Sequence, residues 1–146
     1  MSNVAPGSIA VEAIDVCKSF DGVAALSNVS MDLQLGEVHA LLGENGAGKT
    51  TISNIFAGIY RADSGTVKVF GVAHDFRSPA QSIAAGIGMV HQHFKLVAPM
   101  TVAENIHLGW SETPKLVTRR ELVARSEALM NDIGLHVDPT ARIWQP

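Results

Sequence analysis

Eight consecutive residues carry the densest chemistry of the chain: Gly43-Glu44-Asn45-Gly46-Ala47-Gly48-Lys49-Thr50. Gly43, Gly46 and Gly48 let a backbone wrap closely around an anion, where a Cβ would clash or forbid the required dihedrals. The order is that of a phosphate loop, in which backbone N–H groups cradle phosphates, a lysine reaches the β- and γ-phosphates and a hydroxyl ligates Mg²⁺. Lys49 is the candidate cation. Thr50 is the candidate metal ligand, since Mg²⁺ is a hard ion that prefers oxygen, and Thr51 adds a donor on the α-phosphate side. By itself the loop implies a nucleoside triphosphate and serves equally a GTPase, a small-molecule kinase or a strand-exchange ATPase.

The elements around the loop have to hold it. Residues 38–42 form a short apolar run that leads into it, as a buried parallel strand would. Beyond it Ile52, Ile55, Phe56 and Ile59 recur at i, i+3, i+4 and i+7, which gives a helix one stripe to press on a sheet. Near the front, residues 9–16 and 29–35 alternate apolar with polar, the period of antiparallel strands with one covered face. Asp63-Ser64-Gly65 reads as a turn into a strand over 66–70. Ser78-Pro79-Ala80-Gln81, Thr101-Val102-Ala103-Glu104 and Thr118-Arg119-Arg120-Glu121 each have the spacing of a capping box and predict three further helix starts. Between the first two, the apolar run 87–90 predicts another strand. Leu122, Val123, Leu129, Met130 and Ile133 form a stripe on the last helix, ended by Gly134. Strands and helices in alternation make the class α/β.

Composition removes several functions. The chain has 146 residues, 47% of them hydrophobic and 17% charged, the profile of about one globular domain. Its net charge of −3 provides no positive field for nucleic acid, so no nucleic-acid partner is expected. The longest apolar stretch, residues 83–90, is far short of the roughly 20 residues of a bilayer-crossing helix, so any membrane role comes through partners. The opening residues lack the basic start and apolar middle of an export signal, which points to the cytoplasm. Cys17 is the single cysteine, read as a reduced thiol in a strand. His91 and His93, two apart on an extended segment, point to opposite faces and cannot share a metal.

From Phe20 through His107 the sequence closely resembles the ATP-binding cassette family: Phe20-Asp21-Gly22 ahead of the loop, Gly36-Glu37-Val38 leading into it, Asp63-Ser64-Gly65-Thr66 after it, and then Gln92, 43 positions beyond Lys49. The resemblance implies ATP and Mg²⁺ as ligands, Phe20 stacking on adenine, and Gln92 contacting Mg²⁺ and the attacking water. It implies a P-loop core of an antiparallel subdomain and a parallel sheet with helices over residues 1–93, and the start of a helical subdomain over 94–146. Met100-Thr101-Val102-Ala103-Glu104-Asn105-Ile106 resembles the family segment that meets a coupling helix of the membrane partner. The run from His91 to Val97 is most similar to importer ATPases for nucleosides and ribose-type sugars, which carry two cassettes per chain; the implied reading is the start of the first. Transmembrane permease subunits and a second, face-to-face cassette are the implied partners, at the cytoplasmic face of the cell membrane.

The family completes its site with a strand ending in Asp-Glu, a Leu-Ser-Gly-Gly-Gln-like signature and a later histidine, and none of these follows Gln92. No residue of this chain is therefore expected to act as catalytic base, and the 146 residues alone are expected to bind nucleotide weakly and hydrolyse it poorly or not at all. Two alternatives stand beside the importer: a soluble cassette ATPase of translation or DNA repair, and a non-hydrolysing nucleotide-binding fragment.

Overall fold

The computed structural model describes residues 7–91, 95–110 and 112–144. It divides into two compact units, Met1–Val90 and His91–Pro146.

In the first unit four strands form one antiparallel sheet in the order β2-β1-β3-β4: β1 (Ile9–Phe20), β2 (Val23–Gln34), β3 (Ser64–Val69) and β4 (Val72–His74). The hairpin β1–β2 closes through Asp21 (φ 48°) and Gly22 (φ 82°), two positive-φ residues of the sort that match the twist of paired strands. It runs longer than the alternation at 9–16 and 29–35 indicates. Bulges explain this, because Asp15 and Asn28 both take φ 49° and shift the register. Ala13 and Val16 consequently both face the core although they are three residues apart. The bulge is pinned by polar bonds, with Asp15 N–H donating to Ser30 Oγ at 2.9 Å and Asn28 N–H to the free thiol of Cys17 at 3.2 Å.

Helix α1 (Lys49–Phe56) covers the sheet through Ile52 and Ile55, which pack with Ala13, Val16, Leu26, Val67, Val69 and Phe76. The helix is shorter than its apolar spacing suggests: Ala57 is its C-cap, Gly58 takes φ 69°, and Ile59 is left 40% exposed. A Cβ on Gly58 would lie 2.5 Å from the carbonyl oxygen of Ser78, so the chain turns here against the start of α2 (Pro79–Ala84). Ser82 Oγ, buried, donates to the Phe56 carbonyl at 2.7 Å and satisfies an otherwise open end of α1. At α2 the expected capping box is not made. Gln81 reaches past Ser78 and accepts from the Arg77 N–H at 2.8 Å, while Pro79 at the first turn has no N–H to satisfy.

Residues 38–42 and 87–90 belong to no helix or strand, and Val38, Leu42 and Val90 are almost wholly in solvent. A parallel strand exists through its ladder, and among the described residues no neighbour runs beside either segment to form one. Phe70 is also no strand residue; with φ 48° it shares the β3–β4 turn with Gly71.

The second unit holds α3 (Val102–His107) and α4 (Arg119–Asp132), each opened by a complete capping box, Thr101 with Glu104 and Thr118 with Glu121. The contact line of α4 is Leu122, Ser126 and Met130, spaced by four, with the latter two buried; Leu129 and Ile133 of the expected stripe stand 36% and 63% exposed. His107 is buried at the end of α3, stacked on Trp110 at 5.1 Å, with Nδ1 2.8 Å from Thr113 Oγ1. Its Nε2 has no partner among the described residues.

Gly65 (φ +88°) lies so close to β1 that a Cβ would stand 2.5 Å from the Asp15 carbonyl oxygen and 2.6 Å from Val16 Cα, all backbone. Gly65→Ala should lower unfolding free energy by on the order of 3 kcal/mol, read by urea denaturation. Burial first, and the Arg125 charge second, hold the His107 pKa below its ordinary 6.5. As pH falls below 6.5 the unfolded chain takes up a proton that the folded one refuses, so stability falls, and the loss is complete below the folded pKa. The urea midpoint should drop between about pH 7.5 and about pH 5.5, and the drop should shrink in His107→Gln.

Candidate phosphate site

The loop of residues 43–48 follows the apolar run 38–42 and enters α1 directly, with Gly48 as N-cap. Its glycines all take positive φ: 154° at Gly43, 87° at Gly46 and 85° at Gly48. Gly46 has open space around it, whereas a Cβ on Gly48 would meet Leu26 Cδ2 at 2.6 Å and the Ala25 carbonyl oxygen at 2.7 Å. The loop thus rests its last glycine on the backbone of β2 and exposes the rest: Gly43, Glu44, Asn45, Gly46 and Ala47 all face solvent.

Lys49 folds back over the loop. Its Nζ donates to the Gly43 carbonyl at 2.6 Å and to the Glu44 carbonyl at 2.7 Å, and the Glu44 carbonyl also takes the Ala47 N–H at 3.2 Å. An ammonium has three N–H donors, so two hold it at the loop and one is left for an incoming oxyanion. The start of α1 has no side-chain cap and no acidic residue in its first turn, which leaves its N–H groups and its positive end to an anion. Thr50 is exposed at the second helical position and Thr51 is half-buried at the third. No group of three or more His, Cys, Asp or Glu side chains among the described residues could hold a metal. Thr50 is the residue of the described loop and helix start whose hydroxyl could hold a magnesium ion. Gln92 lies outside the described residues.

Phe20 ends β1, 40% exposed and paired across the hairpin with Val23. Val23 is two residues, about 7 Å of strand, from the Ala25 that supports Gly48. One hairpin therefore carries both the candidate stacking ring and the seat of the glycine loop. The ring has neighbours that the sequence alone did not indicate: Lys18 Nζ at 5.4 Å from its centroid and Tyr60 edge-on at 5.1 Å. No periodicity links Lys18, Phe20, Tyr60 and Asp63, since turns and bulges bring them together. A hollow of about 410 Å³ between residues 60–67 and 73–76 is a poor rival site. Arg61 in its lining is spent in a bidentate pair with Asp75 at 2.8 Å, and that pair with the Arg61 donor holds the Asp75 carboxyl below its usual range.

Among the described residues no helix is long and apolar enough to cross a membrane. The fold is similar to that of a nucleotide-free ATP-binding cassette from an ABC transporter (TM-score 0.76, 23% identity, covering 94% of this chain and 59% of that one) and to a dimeric post-hydrolysis cassette bound to ADP and Pi (TM-score 0.69, 21% identity, covering 90% and 61%). Among curated proteins the chain is similar to the arabinose import ATP-binding protein AraG of Pseudomonas syringae pv. tomato, 43% identical over 88% of this chain and 25% of the relative. It is 44% identical to the ribose import ATP-binding protein RbsA 1 of Rubrobacter xylanophilus over 88% of this chain and 26% of the relative. The guanosine import ATP-binding protein NupO of Bacillus subtilis is 40% identical over 90% and 26%. The chain thus spans about a quarter of the length of these relatives. The ABC transporter family model matches residues 26–144, the stretch that holds the loop, α1 and both helices of the second unit, and the chain belongs to that family.

Proposed function

We propose that this chain is the ATP-binding front part of an importer ATPase that couples ATP binding and hydrolysis to uptake of a sugar or nucleoside. The observation that carries the reading is the glycine loop with Lys49 folded on it, opening into a helix that has neither cap nor acid of its own. In this reading the triphosphate lies in the loop, the backbone N–H groups of Gly46, Gly48 and the start of α1 bind its oxygens, and the third Lys49 donor takes the γ end. Thr50 ligates Mg²⁺, which neutralises charge on the β- and γ-phosphates, and Thr51 donates on the α side. Gln92 contacts Mg²⁺ and orients water. Phe20 stacks on the adenine.

The names of these three relatives divide between pentoses and guanosine, which supports the cargo class and no single cargo. In the whole protein, ATP closes two cassettes face to face, transmembrane permease subunits on the cytoplasmic side follow that movement, and hydrolysis resets it. The 146 residues by themselves bind nucleotide weakly and turn it over poorly or not at all, because the carboxylate that orients water is not among them.

Titration of MgATP into the chain tests the loop. Lys49→Ala should weaken binding by about ten- to a hundredfold, the loss of a charge-assisted bond; unchanged affinity would remove the phosphate assignment. Gly48→Ala should act as strongly by geometry, because the Ala25 carbonyl is backbone and cannot give way to a Cβ at 2.7 Å. For the transport role, the complete protein should co-purify with a membrane permease and drive ATP-dependent solute uptake into vesicles; a soluble ATPase with no permease bound would contradict it.

A further inference from the structure

The end of β1 is held in an unusual way. Its ladder with β3 finishes at the pair Cys17 and Ser64, so beyond that point the edge of β1 facing β3 has no strand beside it. Asp63 takes over. Its N–H donates to the Cys17 carbonyl at 2.9 Å, one carboxylate oxygen accepts from Ser19 N–H at 2.7 Å, and the other accepts from Lys18 Nζ at 2.6 Å. In an antiparallel strand the Cys17 carbonyl and the Ser19 N–H point the same way, so the carboxylate continues the ladder where backbone has run out. The next residue is Phe20.

Lys18, held by Asp63, places its ammonium 5.4 Å from the Phe20 ring centroid, close enough for a cation–π attraction. Tyr60 meets the same ring at 5.1 Å with the planes 68° apart. Tyr60 is itself tied to α1, because its N–H donates to the Asn54 carbonyl at 3.1 Å. The brace is rigid at its root, since Gly65 packs directly on the backbone of residues 15 and 16. The Lys18 contact first, then the Ser19 N–H, hold the Asp63 carboxyl below its ordinary pKa, so it stays charged at neutral pH.

We propose that Asp63 is a positioning residue for the nucleotide base: by holding three consecutive residues at the end of β1 it fixes the Phe20 ring, with Lys18 over it and Tyr60 beside it, at a set distance from the phosphate loop. The proposal rests on the reading of Phe20 as the stacking ring. It makes Asp63 act through Phe20, without touching the ligand, and separates its effect from phosphate binding.

The test compares the affinities of the chain for MgATP and for magnesium tripolyphosphate, whose ratio isolates the contribution of the base. Phe20→Ala should lower that ratio about tenfold, as loss of one base–aromatic stack does. Asp63→Ala should lower it about three- to fivefold with tripolyphosphate affinity unchanged, and Phe20→Ala/Asp63→Ala should be no worse than Phe20→Ala alone. Asp63→Asn keeps an acceptor for Ser19 N–H but loses the ion pair with Lys18, so it should lower the ratio about twofold with tripolyphosphate affinity unchanged, a readout that stands if Asp63→Ala folds poorly. If Asp63→Ala weakens both ligands equally, or multiplies with Phe20→Ala, its role is general stability and the proposal falls. A ratio unmoved by Phe20→Ala overturns the stacking reading and the positioning role with it, while a ratio lowered by Phe20→Ala but not by either Asp63 variant overturns the positioning role only.

Discussion

Gly48 lies against the carbonyl oxygen of Ala25 and the side chain of Leu26, with no room for even a methyl group between loop and strand. That contact sets where α1 begins, and therefore where Lys49 and Thr50 leave the backbone. It is kept by the apolar face behind it. Ile52 and Ile55 bury themselves among Ala13, Val16, Leu26, Val67 and Val69, so the helix that extends the loop cannot slide along the sheet without opening the core. Leu26 serves both sides, as a core residue and as the surface under Gly48. Because the same hairpin carries Phe20 at its tip, the candidate base and phosphate positions are set by one piece of backbone.

What the sequence could convey depended on how local the cause was. The glycine loop that opens α1, the Ile52 and Ile55 part of its stripe and the boxes at Thr101 and Thr118 are interactions within a few residues, and they could be read directly. The bulges were not legible, because a positive φ at Asp15 and Asn28 is compensated by a thiol and a hydroxyl from the opposing strand. Apolar runs were ambiguous in a different way. Residues 38–42 and 87–90 have the composition of buried strands, yet composition only shows that a segment suits a ladder; a neighbour must supply the ladder itself. Val38, Leu42 and Val90 stand in solvent for that reason. The Lys18–Asp63 brace spans 45 residues and depends on a strand ending at the right place, which no spacing rule encodes.

Three helix starts among the described residues, those of α1, α3 and α4, meet one problem in two ways. An α-helix leaves its first N–H groups without partners, and α3 and α4 answer with a threonine cap and a glutamate that returns to the cap's own N–H. Those glutamates accept from backbone and hydroxyl together and are held below the usual carboxylate range by them. Their helix ends are neutralised internally and offer nothing to a ligand. At α1 the cap is a glycine with no side chain, and the first turn contains Lys49, Thr50 and Thr51 where an acid would otherwise be favoured. Leaving those N–H groups unpaired costs stability, a cost that the buried stripe of Ile52 and Ile55 offsets and that a bound oxyanion would remove. A carboxylate in that first turn would cap the helix and repel phosphate at once, so the same residues that make α1 a weak helix by local rules make its start the candidate for a phosphate.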